Sequence, residues 1–140
     1  MQNLKPVFRL LLAGALALPG LKASAATPAE IQNSFETAAR SGTPGFSGFS
    51  AERGRQFFGA THGSEWSCSS CHTSTPLASG KHAKTGKEIA PLAPAANPQR
   101  FADAAKVEKW FKRNCNDVLG RVCTDQEKGD VLAYLMSLAK

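Results

Sequence analysis

The motif "CSSCH", from Cys68 to His72, constrains this chain more than any other stretch. Two thiols three residues apart, followed directly by an imidazole, form the pattern to which haem of the c type is attached. The three-residue step matches the spacing of the two porphyrin vinyl groups along one helical turn, and the adjacent histidine then reaches the iron as its proximal ligand. The motif predicts one covalently bound haem c, held by Cys68 and Cys71 with His72 on the iron.

Two other kinds of site use closely spaced cysteines, and both fit this chain less well. A thioredoxin-like redox pair lies in a βαβ setting, and the sequence shows no such alternation of strands and helices. A structural zinc site needs two further ligands at close spacing. The remaining cysteines, Cys115 and Cys123, are too far apart to supply them.

Residues 1–26 have the form of a secretory signal peptide. A basic start is followed by the apolar run "LLLAGALAL" and then by the small residues of "ASAA". The apolar run is too short to span a bilayer comfortably, and a Pro-Gly pair interrupts it. We therefore expect cleavage after Ala25 or Ala26, export to the periplasm, and a mature part, residues 27–140, that forms a single domain.

The charge of the chain argues against a nucleic-acid partner. The formal net charge is +6, and the signal segment carries three basic residues and no acidic one, so the mature part has only +3. No block of like charge remains, and the aromatic residues are not interleaved with a basic stripe. No other segment is long and apolar enough to cross a membrane. With two haem propionates the protein would be close to neutral, so we expect no strongly basic docking surface.

Four residues are placed to begin helices, and no segment alternates as a strand does. Two of these caps stand three residues before a glutamate, the capping-box pattern, and all four precede apolar residues at helical spacing. The four caps are Thr27, Ser50, Asp103 and Thr124. The proline-rich residues 73–100 lack periodicity and are expected to form an ordered loop. The sequence predicts a small all-α domain, in which the third helix turns Val107, Trp110, Phe111 and Asn114 inward.

Two long stretches resemble the sphaeroides haem protein group of cytochromes c and its relative, cytochrome c double-prime. They are "CHTSTPLASGKHAKTGKEIAPLAP" and "RFADAAKVEKWFKRNCNDVLGRVCTDQEKGDVLAYL". The resemblance runs from about Glu52 to Leu138. It implies a class I cytochrome c-like fold around one haem, with an extra N-terminal helix. It also implies a disulfide between Cys115 and Cys123.

The resemblance also implies that the residue just before Cys115 is the distal ligand of the iron. That position holds histidine in cytochrome c double-prime and asparagine in the sphaeroides haem protein, and here it is Asn114. The loop after His72 is more like that of cytochrome c double-prime, so the chain combines features of both. Without the resemblance, Asn114 is better explained as a cap of the third helix.

An amide oxygen is a weak, hard ligand that suits ferric better than ferrous iron. We therefore expect Asn114 to bind the oxidised iron and to leave it on reduction, so that the reduced protein binds O2, NO or CO. The family implies a dihaem cytochrome c as redox partner. A plain electron carrier with His62 or His82 as second ligand is the alternative, and a module sensing redox state through the disulfide is a third. Met136 is expected to be a packing residue.

Several other side chains are candidates for the surroundings of the haem. Trp66, Trp110 and Phe111 are expected at its edge, although core packing explains these aromatic residues equally well. Lys87, like Lys84, is placed to meet a propionate or the acidic rim of a partner, although lysines more often form a solvated face.

Overall fold

A computed structural model describes residues 25–139. The predicted signal peptide therefore lies almost wholly outside the described residues. The described part contains five α-helices, which are α1 (Pro28–Gly42), α2 (Ala51–Gly59), α3 (Cys68–His72), α4 (Ala104–Leu119) and α5 (Asp125–Ser137). Two short strands, β1 (Gly80–Lys81) and β2 (Glu88–Ile89), pair antiparallel with Gly80 opposite Ile89. The all-α prediction is confirmed, with this hairpin as the one departure that the sequence pattern did not show. Among residues 25–139, no helix has the length and apolar character that a membrane span requires.

The four predicted helix starts are confirmed by their capping hydrogen bonds. Thr27 and Thr124 both form complete capping boxes, with Glu30 and Glu127 respectively. Ser50 and Asp103 accept from the backbone amides three residues later. Such a side chain satisfies an amide that has no partner inside its helix, which is worth about 1 kcal/mol. These bonds fix where each helix begins.

Helix α5 is the centre of the molecule, because both α1 and α2 pack against it. Leu132 and Leu135 on α5 are fully buried, as is Phe35 on α1. Ala26, just before α1, packs on the same core and donates its amide to the carbonyl of Ala102 at 3.0 Å. The buried cluster consists of Ile31, Phe35, Phe58, Phe101, Val107, Val131, Leu132, Tyr134 and Leu135.

Helices α2 and α5 cross in direct backbone contact at Gly54. A Cβ atom added at Gly54 would lie 1.8 Å from the carbonyl oxygen of Asp130. The Asp130 carboxylate is itself buried and accepts from the Ser50 amide at 2.7 Å and from Arg53 Nε at 2.8 Å. A buried charge is tolerated only when it is paired and hydrogen-bonded, and these contacts supply both. The start of α2 is thereby tied to the middle of α5.

Helix α4 confirms two of the four residues predicted on its inner face, Val107 and Phe111. Val107, Cys115 and Val118 are buried, and Phe111 packs against the core. Trp110 and Asn114, which the sequence pattern placed on the inner face, are exposed. Residues four apart on a helix share a stripe, and each residue is rotated by about 100° from the next, so position 110 lies well to one side of position 111. The helix therefore presents Trp110 and Asn114 together on a second, open stripe.

We expect Gly54→Ala to lower the free energy of unfolding by about 3 kcal/mol, because the added methyl group would overlap the α5 backbone. Guanidinium denaturation followed by circular dichroism measures this change. Gly59→Ala is the matched control, since nothing lies within 4 Å of the Cβ position at the end of the same helix. We expect the control to be neutral or to stabilise by up to about 1 kcal/mol. Equal midpoints for the two variants would contradict the close crossing.

Candidate functional site

The "CSSCH" motif forms a single helical turn, α3, that is capped by its own serines. Ser67 accepts from the Ser70 amide, and the Ser70 hydroxyl accepts from the Ser67 amide at 3.0 Å. In this turn Cys68 and Cys71 are one turn apart on the same side, as residues at positions i and i+3 are. Both thiols are free and half-buried. Burial raises the pKa of the Cys68 thiol to about 11, so this sulfur is protonated at neutral pH.

The imidazole of His72 is held neutral. Burial lowers its pKa to about 4, and the nearby positive charge of Arg100 adds to the effect. Its ring centroid lies 6.4 Å from that of Phe58, a core residue. A neutral imidazole keeps a nitrogen lone pair available for a metal ion. His72 is therefore in the state that an iron ligand requires.

The β1–β2 hairpin packs directly on this turn. A Cβ atom at Gly80 would lie 2.0 Å from the carbonyl oxygen of Cys71, so only glycine permits the approach. The Ala83 amide lies 3.3 Å from the sulfur of Cys71. Lys84 Nζ lies over the ring of Trp66 at 4.6 Å. Trp66 therefore belongs to the immediate surroundings of the motif, with Lys84 as its cationic neighbour.

The loop between the hairpin and α4 is ordered by backbone hydrogen bonds, as predicted for a proline-rich segment. The carbonyl of Pro76 accepts from the amides of Leu92 and Ala93, both at 3.0 Å. Arg100 donates to the carbonyls of Ala90 at 2.7 Å and Pro91 at 3.1 Å. These bonds hold the half-buried guanidinium near His72.

A disulfide between Cys115 and Cys123 closes the C-terminal end of α4, as the resemblance implied. Both sulfurs are buried, and Arg121 pairs with Glu127 at 2.6 Å beyond the loop. The hydroxyl of Ser64 lies 2.6 Å from the carbonyl of Val118, one of the last carbonyls of α4. The loop before "CSSCH" is therefore hydrogen-bonded to the helix that carries Asn114. Sequence reasoning missed Ser64, because no local pattern marks a contact across 54 residues.

Asn114 lies on the open stripe of α4, one turn after Trp110. Its side-chain amide forms no hydrogen bond to any of residues 25–139, and it does not cap the helix, whose C-cap is Gly120 in the left-handed region. Arg113 lies over the Trp110 ring at 5.6 Å. Phe111 differs from these residues, since it contacts Phe35 edge to face at 5.8 Å and belongs to the core.

The two histidines considered as alternative iron ligands form local contacts of their own, and two further residues named from the sequence are exposed. His62 Nε2 is 2.8 Å from the carbonyl of Phe57, and the ring centroids of the two residues are 4.4 Å apart with their planes tilted by 48°. His82 Nδ1 accepts from the Thr85 amide at 3.2 Å at the tip of the hairpin. Met136 is partly exposed on α5. Lys87 is also exposed in the hairpin.

The residues around α3 fit a haem c better than a directly bound metal ion. The described residues contain no group of three or more His, Cys, Asp or Glu side chains able to hold a metal ion. Two free thiols one turn apart and a neutral imidazole beside them match what a thioether-linked porphyrin needs. Cys68 and Cys71 would hold the group, and His72 would be its iron ligand.

We expect the double substitution Cys115→Ala with Cys123→Ala to lower the free energy of unfolding by about 2.5 kcal/mol, the chain-entropy value for so short a loop. Guanidinium denaturation of the variant and the parent measures the difference. Adding a thiol reductant should lower the parent midpoint to that of the variant and leave the variant unchanged. A parent that is insensitive to the reductant, or a variant as stable as the parent, would contradict a stabilising bridge.

Comparison with known proteins places this chain among cytochromes c. A family model described as a domain of unknown function, DUF1924, matches residues 44–135. The cytochrome c-type protein SHP of Cereibacter sphaeroides is 47% identical over 130 residues, which covers 90% of this chain and 95% of that protein. Cytochrome c'' of Methylophilus methylotrophus is 38% identical over 135 residues, covering 89% and 94% respectively.

Solved structures of both relatives share the fold. Oxidised cytochrome c'' from Methylophilus methylotrophus superposes with a TM-score of 0.72 at 39% identity, covering 81% of this chain and 95% of that one. Oxidised SHP, described as an oxygen-binding cytochrome c, has a TM-score of 0.69 at 47% identity, covering 80% and 97%. The class I cytochrome c-like fold expected from the sequence is confirmed.

Proposed function

The chain belongs to the DUF1924 family and is related to these cytochromes c. On that premise we propose that it is an exported monohaem cytochrome c that releases its distal ligand on reduction and then binds a diatomic gas. The observation that carries the haem is the single turn α3, with two free thiols and a neutral imidazole. When bound, haem c supplies an iron that accepts and gives up one electron and has a coordination position for a gas. Cys68 and Cys71 hold the group by thioether bonds, and His72 is the proximal ligand.

Asn114 is the distal ligand in this proposal. The chain supports it in three ways: the amide has no hydrogen-bonding partner among residues 25–139, the disulfide at Cys115 restrains the adjacent backbone, and Ser64 binds the end of the same helix. An amide oxygen is a weak ligand that prefers ferric iron, so Asn114 would hold the oxidised iron and give it up on reduction. Its side-chain N–H would then be available as a hydrogen-bond donor to a gas, and such donors tune gas affinity in haem pockets. The relative SHP is described as oxygen-binding, which agrees with this role.

The contact of His82 disfavours this residue as a second iron ligand, whereas the contact of His62 leaves one ring nitrogen available. His82 Nδ1 accepts from the Thr85 amide, so the ring proton of its neutral form is on Nε2. His62 contacts the Phe57 carbonyl through Nε2, which leaves the lone pair of Nδ1 free. Neither residue lies on α4, where Asn114 has a free amide.

Export is part of the proposal, since haem c and a disulfide both belong to compartments outside the cytoplasm. We place the cleavage after Ala25. Ala26 would then remain in the mature chain, where it packs on the core and its nitrogen bonds Ala102. The redox partner is proposed to be a dihaem cytochrome c, and the gas O2, NO or CO.

We expect Cys68→Ala with Cys71→Ala to abolish covalently bound haem, because no other free thiol remains among residues 25–139. Haem staining after denaturing electrophoresis, together with the pyridine haemochrome spectrum, measures attachment. The double alanine variant of Cys115 and Cys123 is the matched control and should stain as the parent does. Haem that migrates with the Cys68/Cys71 variant would contradict the proposed attachment.

We expect the reduced parent protein to bind CO, with a shift of its Soret band, because Asn114 no longer occupies the iron. Asn114→Ala should alter the spectrum of the oxidised protein and leave CO binding to the reduced protein intact. Asn114→His should slow CO binding at least about tenfold, since imidazole also binds ferrous iron. Asn116→Ala, an exposed amide two residues along the same helix, is the control and should behave as the parent.

A reduced parent protein with a six-coordinate, low-spin spectrum that ignores CO would contradict release of the distal ligand. An oxidised spectrum unchanged in Asn114→Ala would contradict Asn114 as that ligand, and the bis-histidine alternative would then be tested with His62→Ala and His82→Ala.

A further inference from the structure

Basic residues that form ion pairs and basic residues that form none lie in different parts of the described chain. Thirteen basic residues lie within residues 25–139. Eight of them fall in residues 81–113, and none of these eight forms an ion pair with a described carboxylate. The five that lie outside this segment all form such pairs: Arg40, Arg53, Arg55, Arg121 and Lys128.

The acidic residues show the opposite division. Residues 81–113 hold eight basic and three acidic residues, whereas the rest of the described chain holds five basic and eight acidic ones. A small net charge therefore conceals a basic segment and an acidic remainder. The field near a surface depends on this local distribution rather than on the total.

The β1–β2 hairpin brings part of this excess of basic residues next to the candidate site. Lys81, Lys84 and Lys87 are all exposed within seven residues, and Glu88 is the one acidic residue in the 73–100 loop. We call residues 80–89 the lysine hairpin. The lysine hairpin contacts the "CSSCH" turn through Gly80 and through the Ala83 amide, which lies 3.3 Å from Cys71 Sγ. Three cations are thus held beside the cysteine that would carry a haem thioether.

Hydrogen bonds within the lysine hairpin order its tip. The His82 amide donates to the Lys87 carbonyl, and the Gly86 amide donates to the His82 carbonyl, both at 2.8 Å. Gly86 has a φ of 68°, which favours glycine, and Lys84 lies over Trp66. A surface that is already ordered loses less conformational entropy when a partner binds. These bonds present the lysines in a fixed arrangement.

We propose that the lysine hairpin is the docking surface for an acidic redox protein that exchanges electrons with this one. The inference rests on the proposed function, because docking at Cys71 matters only if a haem is attached there. In the productive encounter, one electron passes from the reduced partner, which is oxidised, to this protein, which is reduced. The lysines steer the acidic partner to the hairpin that packs on Cys71, the residue proposed to carry the haem.

A protein partner suits the hairpin better than an anionic membrane does. Each lysine near an anionic lipid surface contributes only about 1 kcal/mol, so three would bind weakly. Stable binding to a bilayer surface also needs apolar side chains to insert. The one large apolar residue of the lysine hairpin, Ile89, is half-buried rather than exposed.

Stopped-flow reduction of the oxidised holoprotein tests the proposal with two donors of opposite charge, a reduced flavodoxin with an acidic surface and hexaammineruthenium(II). The triple variant Lys81→Gln, Lys84→Gln, Lys87→Gln is compared with the parent at low salt. We expect it to react with flavodoxin about tenfold more slowly and with the ruthenium cation somewhat faster. The difference with flavodoxin should vanish at high salt, because screening removes steering.

The triple variant Lys106→Gln, Lys109→Gln, Lys112→Gln is the matched control. It loses the same charge from three exposed lysines of α4 that also lack carboxylate partners among residues 25–139. We expect it to react with flavodoxin within about twofold of the parent. Equal slowing of both variants would show an effect of net charge alone and would overturn the hairpin as a specific docking surface. A hairpin variant that reacts as fast as the parent would overturn it too.

A measurement that needs no electron transfer separates this inference from the proposed function. Oxidised flavodoxin should shift the amide resonances of residues 80–89 more than those of α4 in the oxidised protein as it is purified. Shifts confined to α4 would overturn the docking surface even if the haem is confirmed. Hairpin-dependent binding to phosphatidylglycerol vesicles, with unchanged flavodoxin kinetics, would assign the lysines to a membrane and would also overturn it.

Discussion

The backbone crossing of α2 and α5 at Gly54 is the constraint on which the rest of the fold depends. Because Gly54 has no side chain, the two helices approach until its Cα faces the Asp130 carbonyl. That approach also lets the buried Asp130 carboxylate reach both Ser50 and Arg53 at the start of α2. Helix α1 then covers the other side of α5 and completes the core. The short turn α3, which follows α2, is positioned by this arrangement rather than by any stability of its own, since five residues form no independent helix.

The candidate site is assembled from three segments that meet around α3. Helix α2 supplies Phe58 beside His72, the lysine hairpin packs on Cys71, and Ser64 joins the preceding loop to the end of α4. The disulfide then fixes the segment after α4. The chain thus places a buried, neutral imidazole on one element and a free amide on another, both connected to the same short loop. In the proposed function, the imidazole is the strong ligand of the iron and the amide is the weak, releasable one.

The arrangement of charge shows why a net value predicts little about recognition. From the sequence we expected no strongly basic docking surface, because the mature protein with two propionates would be close to neutral. The distribution of ion pairs is the reason for proposing a docking surface nevertheless. They pair the basic residues of α1, α2 and α5 with acidic neighbours and leave those of residues 81–113 without described carboxylate partners. Whether a lysine is paired depends on the neighbours that folding brings to it, and composition does not contain that information.

The sequence by itself determined the features whose physical cause lies within one helical turn. The caps at Thr27, Ser50, Asp103 and Thr124 are closed by bonds across three residues, and the spacing in "CSSCH" is set by one turn of helix. The disulfide was expected only through the family resemblance, because spacing alone does not select a pair.

Only the tertiary structure decided which side of each element meets which neighbour. The pattern placed Val107, Trp110, Phe111 and Asn114 on the inner face of α4. Val107 and Phe111 do pack in the core, whereas Trp110 and Asn114 are exposed on the neighbouring stripe. The contact of Ser64 with Val118 and the hairpin over Cys71 likewise left no mark in the sequence. Such contacts join residues that are distant in the chain, and their geometry follows from how all the side-chain volumes pack together, which no local pattern encodes.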